Sequence, residues 1–208
     1  MGLDQKGADL VQRRQPRALG FQIAQFERRR AGTLRIYGSL AAGTISATVG
    51  YDQPFPGSDG LEFIDMVDMY NGAFDRYVWK LIGKREIYSP ANAFKPNTGT
   101  VKYADILTPN HPNPDFMRYE LRRVWVVEAN LKEGFRHVYG KRVLFIDEDT
   151  WNAVMADNYD ARGQLWKHAM INYYYHPDMS GWQAGSQFFM DLNSGQYTGY
   201  GMTNESKK

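Results

Sequence analysis

The sequence predicts a mainly β fold, built as an antiparallel meander with one or two short helices. Three observations predict it. Aromatic residues make up 14 % of the chain, with 14 Tyr, 11 Phe and 5 Trp, an excess that suits half-buried strands and apolar pockets better than a helical bundle. The second half is a succession of segments rich in β-branched and aromatic residues. The links between those segments are short and carry Gly, Asp and Asn, which supply left-handed backbone and side-chain turn bonds.

Residues 1–48 carry the least pattern. Over residues 1–50 there are 8 Lys/Arg against 3 Asp/Glu, and over residues 51–208 there are 17 against 20, so a balance of +5 gives way to −3. A shift of that size separates a basic appendage, residues 1–48, from a domain over residues 49–208. The appendage contains FERRRAG (26–32) and the small-residue run SLAAGTISATVG (39–50). Three consecutive arginines would suit a nucleic-acid arm. A solvated or partly helical appendage is the preferred reading, and with a net charge of only +2 no nucleic-acid partner is assigned. The beginning MGLDQKGADLVQRRQPRALG has no apolar core of a signal peptide, so the sequence as written carries no export address. No apolar run is long enough to cross a bilayer as a helix. Cysteine is absent, which excludes disulfides and thiolate metal sites.

From residue 51 the texture changes. YDQPFPGSDG (51–60) is turn and loop material. LEFIDMVDMY (61–70) is the helix candidate, with Ser58 or Asp59 as cap and Asn71-Gly72 as stop. YVWKLIGKREIY (77–88) reads as a strand, SPANAFKPNTG (89–99) and TPNHPNP (108–114) as irregular connections. MRYELRRVWVVEA (117–129), RHVYGKRVLFI (136–146), WNAVMADNYD (151–160) and QLWKHAMINYYYH (164–176) follow as strands, joined by NLKEGF, DEDT and ARG. QFFMDL-NSGQ-YTGYGM (187–202) repeats the pattern around an Asn193-Ser194-Gly195 turn.

Closing these hairpins symmetrically around their loops puts Leu121, Trp125 and Val127 on one face, opposite Leu144, Gly140 and Val138. Trp151, Met155, Tyr159 and Trp166 join that face. The other face carries Val124, Val126, Tyr139, Val143, Phe145 and Val154. Both faces are apolar, whereas a free-standing antiparallel sheet alternates apolar-in with polar-out. Two covers are therefore required, one of them the segment 61–70 or an element outside the chain, the other a partner or an apolar ligand; ordinary protein on both sides is the alternative. The candidate apolar-ligand residues are Trp125, Trp151, Met155 and Trp166. The same register sets Arg123 beside Arg142 with Asp157 one step away, a cluster that either orients an acidic headgroup or serves as a buried structural ion group.

Catalytic and metal signatures are weak. His111, His137, His168 and His176 show no compact ligand spacing. There is no GxSxG elbow and no P-loop. DEDT (147–150) reads as an Asp-rich turn rather than a pair of catalytic acids. No catalytic residue, metal or cofactor is assigned.

With these segments in place, SDGLEFIDMVDMYNGAFDRYVWKLIGKREIY, VKYADILTPNHPNPDFMRYELRRVWVVEANLKEG and RHVYGKRVLFIDEDTWNAVMADNYDARGQLWK are similar to the domain-of-unknown-function family numbered 1329. Its members are commonly labelled outer-membrane lipoprotein-sorting proteins. WKLIGK, RRVWVVEA, DEDTW and YDARGQLW are the strongest matches, and the likeness runs from about Val49 to Met202. The resemblance implies a fold like the lipoprotein carriers LolA and LolB: a curved antiparallel sheet, an incomplete barrel, with helices over its concave side. It implies the periplasm or the outer-membrane periphery, and genes of the family often lie near those for resistance-nodulation-division exporters. It transfers no ligand-binding residue. The resemblance covers only the C-terminal portion of the family's longer chains, so a truncated gene product with a non-native start is one reading. A sheet edge left open by missing strands would favour self-association. Two functions compete: a non-catalytic carrier of a lipid or other apolar ligand, and a scaffold that docks to an exporter or another partner.

Overall fold

The computed structural model describes residues 33–36, 43–46 and 50–205. The chain divides into two units, Met1–Val49 and Gly50–Lys208. In the first, the described backbone is an antiparallel hairpin of β1 (Thr33–Ile36) and β2 (Gly43–Ser46). The basic stretch 26–32 lies outside the described residues.

The second unit is a seven-stranded sheet in which each strand pairs antiparallel with the next: β3 (Tyr77–Pro90), β4 (Tyr119–Leu131), β5 (Lys141–Asp147), β6 (Ala153–Tyr159), β7 (Leu165–His176), β8 (Gly181–Asp191) and β9 (Tyr197–Tyr200). The meander follows from its turns. Three of them start from an aspartate at a strand end whose Oδ1 accepts two backbone N–H groups: Asp147 from Asp149 and Thr150, Asp160 from Arg162 and Gln164, Asp191 from Asn193 and Ser194. These bonds satisfy turn amides that no strand can reach. DEDT is thus the Asp-rich turn expected of it.

β-Bulges interrupt the register between β3 and β4 at Gly83, and in the β5–β6, β6–β7 and β7–β8 pairs. Each bulge bends its strand and increases the local twist. The result is an open sheet that curls strongly. β3 and β7 are four strands apart, a separation of roughly 19 Å in a flat sheet. Yet just beyond the end of β3 the Ala93 amide donates to the Tyr173 carbonyl of β7 at 3.2 Å.

Both faces are covered by the chain itself over much of their area. Residues 50–76 lie across the face that carries Arg142, placing Phe63, Met66 and Met69 in the core. Residues 91–117, with the single turn α1 (Tyr103–Ile106), cover the opposite face, which carries Met170. There the Tyr197 hydroxyl donates to the Thr108 carbonyl. The core runs continuously from one cover through the sheet to the other.

Two sequence expectations need correction. The helix over 61–70 is two short 3-10 turns within Ile64–Met69, broken where Val67 is extended and Asp68 left-handed. Ile64, Asp65, Met66 and Met69 are all buried there, so residues facing different directions all need cover, which a regular helix on a sheet does not provide. The strand expected from residue 136 begins at Lys141. Residues 132–140 form a long connection instead, and the β4–β5 register moves with it. Trp125, expected opposite Gly140, pairs with Ile146. The displacement is an even number of residues, so Val127 and Leu144 still share a face.

Candidate functional site

The face beneath residues 50–76 is the most unusual part of the molecule. Cross-strand pairing aligns Ala129, Arg142, Asn158, Lys167 and Asp191 in one row from β4 to β8. The adjacent row on the same face is apolar: Leu81, Val127, Leu144, Ala156, Ala169 and Phe189. A polar row thus crosses the sheet under a cover of mostly apolar residues.

Arg142 is fully buried. Its Nη2 donates to Asp65 Oδ1 of the cover at 2.6 Å, its Nε donates to the Tyr77 hydroxyl at 3.2 Å, and the rings of Tyr70, Tyr77 and Tyr139 surround the guanidinium. His137, in the connection before β5, sets Nε2 at 3.3 Å from Asp65 Oδ1, while its Nδ1 accepts the Tyr139 amide at 3.0 Å. That arrangement places the neutral ring's proton on Nε2, directed at Asp65. Burial opposes ionisation of Asp65, but Arg142 and His137 outweigh it and hold the carboxyl below the usual carboxylate range. Burial depresses the His137 pKa, against the pull of Asp65.

Lys167 is 1 % exposed. Its ammonium donates to the Gly60 carbonyl and lies 5.0 Å from the Phe63 ring centre, and burial lowers its pKa. Glu62, also in the cover, is pushed up to about 7 by burial and by Asp68, with the Tyr200 hydroxyl offsetting part of the rise. Several polar atoms of this layer have no hydrogen-bond partner: Asp65 Oδ2, Arg142 Nη1, and both the Oδ1 and Nδ2 of Asn158. Buried polar atoms are almost always paired, so this concentration marks the layer as costly.

Beyond the edge of the cover the same face is open. Leu81 is 60 % exposed, Leu121 59 % and Tyr88 71 %. Leu81 pairs with Val127, Trp125 with Ile146, and Tyr88 with Leu121. Trp125 is half-buried, with the Lys84 ammonium 4.5 Å from its ring centre. Lys84 and Arg123 share the Glu148 carboxylate.

The sequence-derived candidates are dispersed. Trp125 lies in the open stripe. Trp166 sits half-buried at the hairpin end beside Lys167, its Nε1 donating to Asp191 Oδ2 at 2.9 Å. Trp151 is 70 % exposed in a turn with positive φ. Met155 pairs with Phe145 and Met170, which puts it on the opposite side of the sheet from Trp125, because the β5–β6 bulge shifts the register between Phe145 and Ile146. The four therefore do not line one cavity. Nor do Arg123, Arg142 and Asp157 form a cluster. Arg123 pairs with Glu148, Arg142 with Asp65, and Asp157 accepts from His168 at 2.7 Å on the Met170 face. The displaced β4–β5 register separates the arginines, and alternation along β6 sends Asp157 to the other side.

Sequence reasoning missed Asp65, His137, Asn158 and Lys167. The signal for Lys167 and Asn158 is their place among buried strand positions. For Asp65 and His137 no local signal exists, since their roles arise from contacts distant in sequence. Among the described residues no group of three or more His, Asp or Glu side chains converges as metal ligands, and no helix is long and apolar enough to cross a membrane. A small cleft of about 10 Å³ between Pro90, Arg122, Asp147, Tyr173 and Trp182 has room for a single water.

The family described as "Protein of unknown function (DUF1329)" matches residues 46–208. An uncharacterized protein of Pseudomonas aeruginosa, PA3922, is 49 % identical over 162 residues, which are 77 % of this chain but 35 % of that protein. The chain thus spans about a third of the length of that relative. A domain from Vibrio parahaemolyticus, described as an outer membrane lipoprotein-sorting protein, superposes with a TM-score of 0.48 at 17 % identity, over 83 % of this chain and 64 % of the other. A DUF1329 family protein from Desulfovibrio piger gives 0.48 at 15 % identity, over 80 % and 54 %. A LolA superfamily protein from Nitrosomonas europaea, NE2245, gives 0.46 at 14 % identity, over 81 % and 59 %.

Proposed function

The chain belongs to the DUF1329 family of proteins of unknown function, and from that premise we propose that it is a non-catalytic protein of the bacterial envelope that binds a lipid or another apolar ligand on the Arg142 face of its sheet. The observation that carries this reading is the open stripe of Leu81, Tyr88, Leu121 and Trp125. Leu81 and Trp125 continue the buried apolar row beyond the cover, and the Tyr88–Leu121 pair lies past the charged positions Lys84, Glu86 and Arg123. Exposed apolar side chains beside such a row suit an apolar occupant whose polar end meets those charges. The titratable groups of the molecule support the non-catalytic part. Asp65 and Glu62 are buried within the cover of residues 50–76, the His137 side chain is buried against Asp65, and His168 is paired with Asp157. The motifs shared with the family support a location in the periplasm or at the outer-membrane periphery.

The test is native mass spectrometry on the full chain, purified from bacteria without detergent and then extracted with solvent. A lipid-sized adduct released by extraction supports the reading. The double variant Leu81→Lys/Leu121→Lys changes only exposed positions and should lose most of that adduct. Retention of the adduct by this variant would sink the assignment to this face.

A scaffold reading has its own observation. β3 is a 14-residue strand at the end of the sheet, and its outer edge has no partner strand among the described residues. An open edge pairs readily with another strand, from an exporter, another partner or a second copy. Sedimentation that shows a dimer dispersed by a proline at an outward-directed β3 amide would favour it over the carrier reading.

A further inference from the structure

Resting on the apolar-ligand reading above, we propose that the row Arg142–Asn158–Lys167 is the seat for the anionic headgroup of an amphiphile, and that the chain's own Asp65 carboxylate occupies this seat while residues 50–76 lie closed. Three observations carry it. First, two cations and an amide line up across adjacent strands on one face, a spacing that suits a carboxylate or phosphate oxygen set better than one side chain. Second, the row is under-used by the chain: Asn158 has neither donor nor acceptor paired, Arg142 keeps Nη1 free, and Asp65 engages through Oδ1 alone. A purely structural ion pair gains from completing its hydrogen bonds, whereas this one leaves donors that a larger anion would use. Third, the floor beside the row suits acyl chains. Ala156 and Ala169 are small and fully buried, and their row runs through Leu144 and Val127 to exposed Leu81. Displacing Phe63 and Met66 of the cover would open one continuous apolar trough, from the headgroup seat to the open stripe.

The probes are oleate, oleyl alcohol and acetate, titrated into the full chain without detergent and read by native mass spectrometry and tryptophan fluorescence. Oleate and oleyl alcohol share their chain and differ in charge, while acetate carries the charge without the chain. Oleate should bind at least tenfold more tightly than oleyl alcohol, and acetate should not compete. Lys167→Met should reduce that preference about tenfold. Asn158→Leu should reduce it too while raising the thermal midpoint, which separates loss of the seat from loss of the fold. Asp65→Asn should strengthen oleate binding by removing the competing carboxylate. Equal affinity for oleate and oleyl alcohol would overturn the headgroup seat and leave the apolar-ligand reading standing. Unchanged preference in a stabilised Asn158→Leu variant would overturn it as well, and competition by acetate would show a small-anion site instead. Failure of both long-chain probes would overturn the two readings together.

Discussion

Replacing Arg142 with methionine tests the buried ion layer most directly. Arg142 and Asp65 have side chains 0 % and 1 % exposed and are 2.6 Å apart. Methionine fills most of the aliphatic volume but leaves Asp65 charged, buried and with only His137 as a polar partner. Stranding one member of such a pair costs about 3–5 kcal/mol. For a domain of this size each kcal/mol moves the midpoint by about 2–4 °C, so Arg142→Met should lower Tm by roughly 6–20 °C. Arg142 is bound to Asp65 and to Tyr77 at once, so part of the loss belongs to the tyrosine. The double variant Asp65→Leu/Arg142→Met isolates the charge, because it removes both ions and leaves an apolar contact of similar volume. It should recover most of the loss, since apolar replacements of whole buried pairs are commonly neutral or stabilising. The assay is urea and thermal unfolding followed by circular dichroism at pH 7, with the four chains of the cycle measured together. A single variant within about 1 kcal/mol of the parent chain would refute the burial argument. A double variant as unstable as the single would show that the loss came from packing rather than from a stranded charge.

Other predictions follow the same layer and the sheet around it. Glu62 is pushed from an ordinary carboxylate to about 7, so its proton is held more tightly in the folded chain than in the unfolded one. Its contribution is fully present below pH ~4.5 and is lost as pH rises through about 7; Glu62→Gln should be near neutral at pH 4 and stabilising by about 3 kcal/mol at pH 9, and a flat pH difference would contradict this. Gly185 in β8 faces Asn97 and Asn172, where an added Cβ would lie 2.3 Å from Asn97 Nδ2 and 2.9 Å from the Asn172 carbonyl. The amide can swing away but the backbone cannot, so Gly185→Ala should cost about 1–3 kcal/mol in urea unfolding; an unchanged midpoint would mean the strands shift freely there.

The presence and order of the seven strands of the second unit, and most of their turns, were legible in the residues. Alternating β-branched and aromatic residues specify extended backbone over short range, and Asp147, Asp160 and Asp191 write the turns that follow them into adjacent residues. Which face Val127 shares with Leu144 was also legible, because strand alternation survives any even shift of register. Both faces read as apolar, and both are apolar. The family likeness was carried by motifs long enough to be specific.

Which polar residues meet depends on contacts between segments distant in the chain. The strands expected at residue 136 and the helix expected at 61–70 both gave way to irregular backbone, since His137, Tyr139 and Asp65 gain burial and partners that local propensity does not represent. The bulges separate Trp125 from Met155, and the β4–β5 register separates Arg123 from Arg142. Arg142 finds Asp65 across 77 positions of sequence and Lys167 finds Gly60 across 107. Such contacts depend on how a cover of 27 residues is laid over a curled sheet, and charge, chain order and periodicity hold no record of that placement.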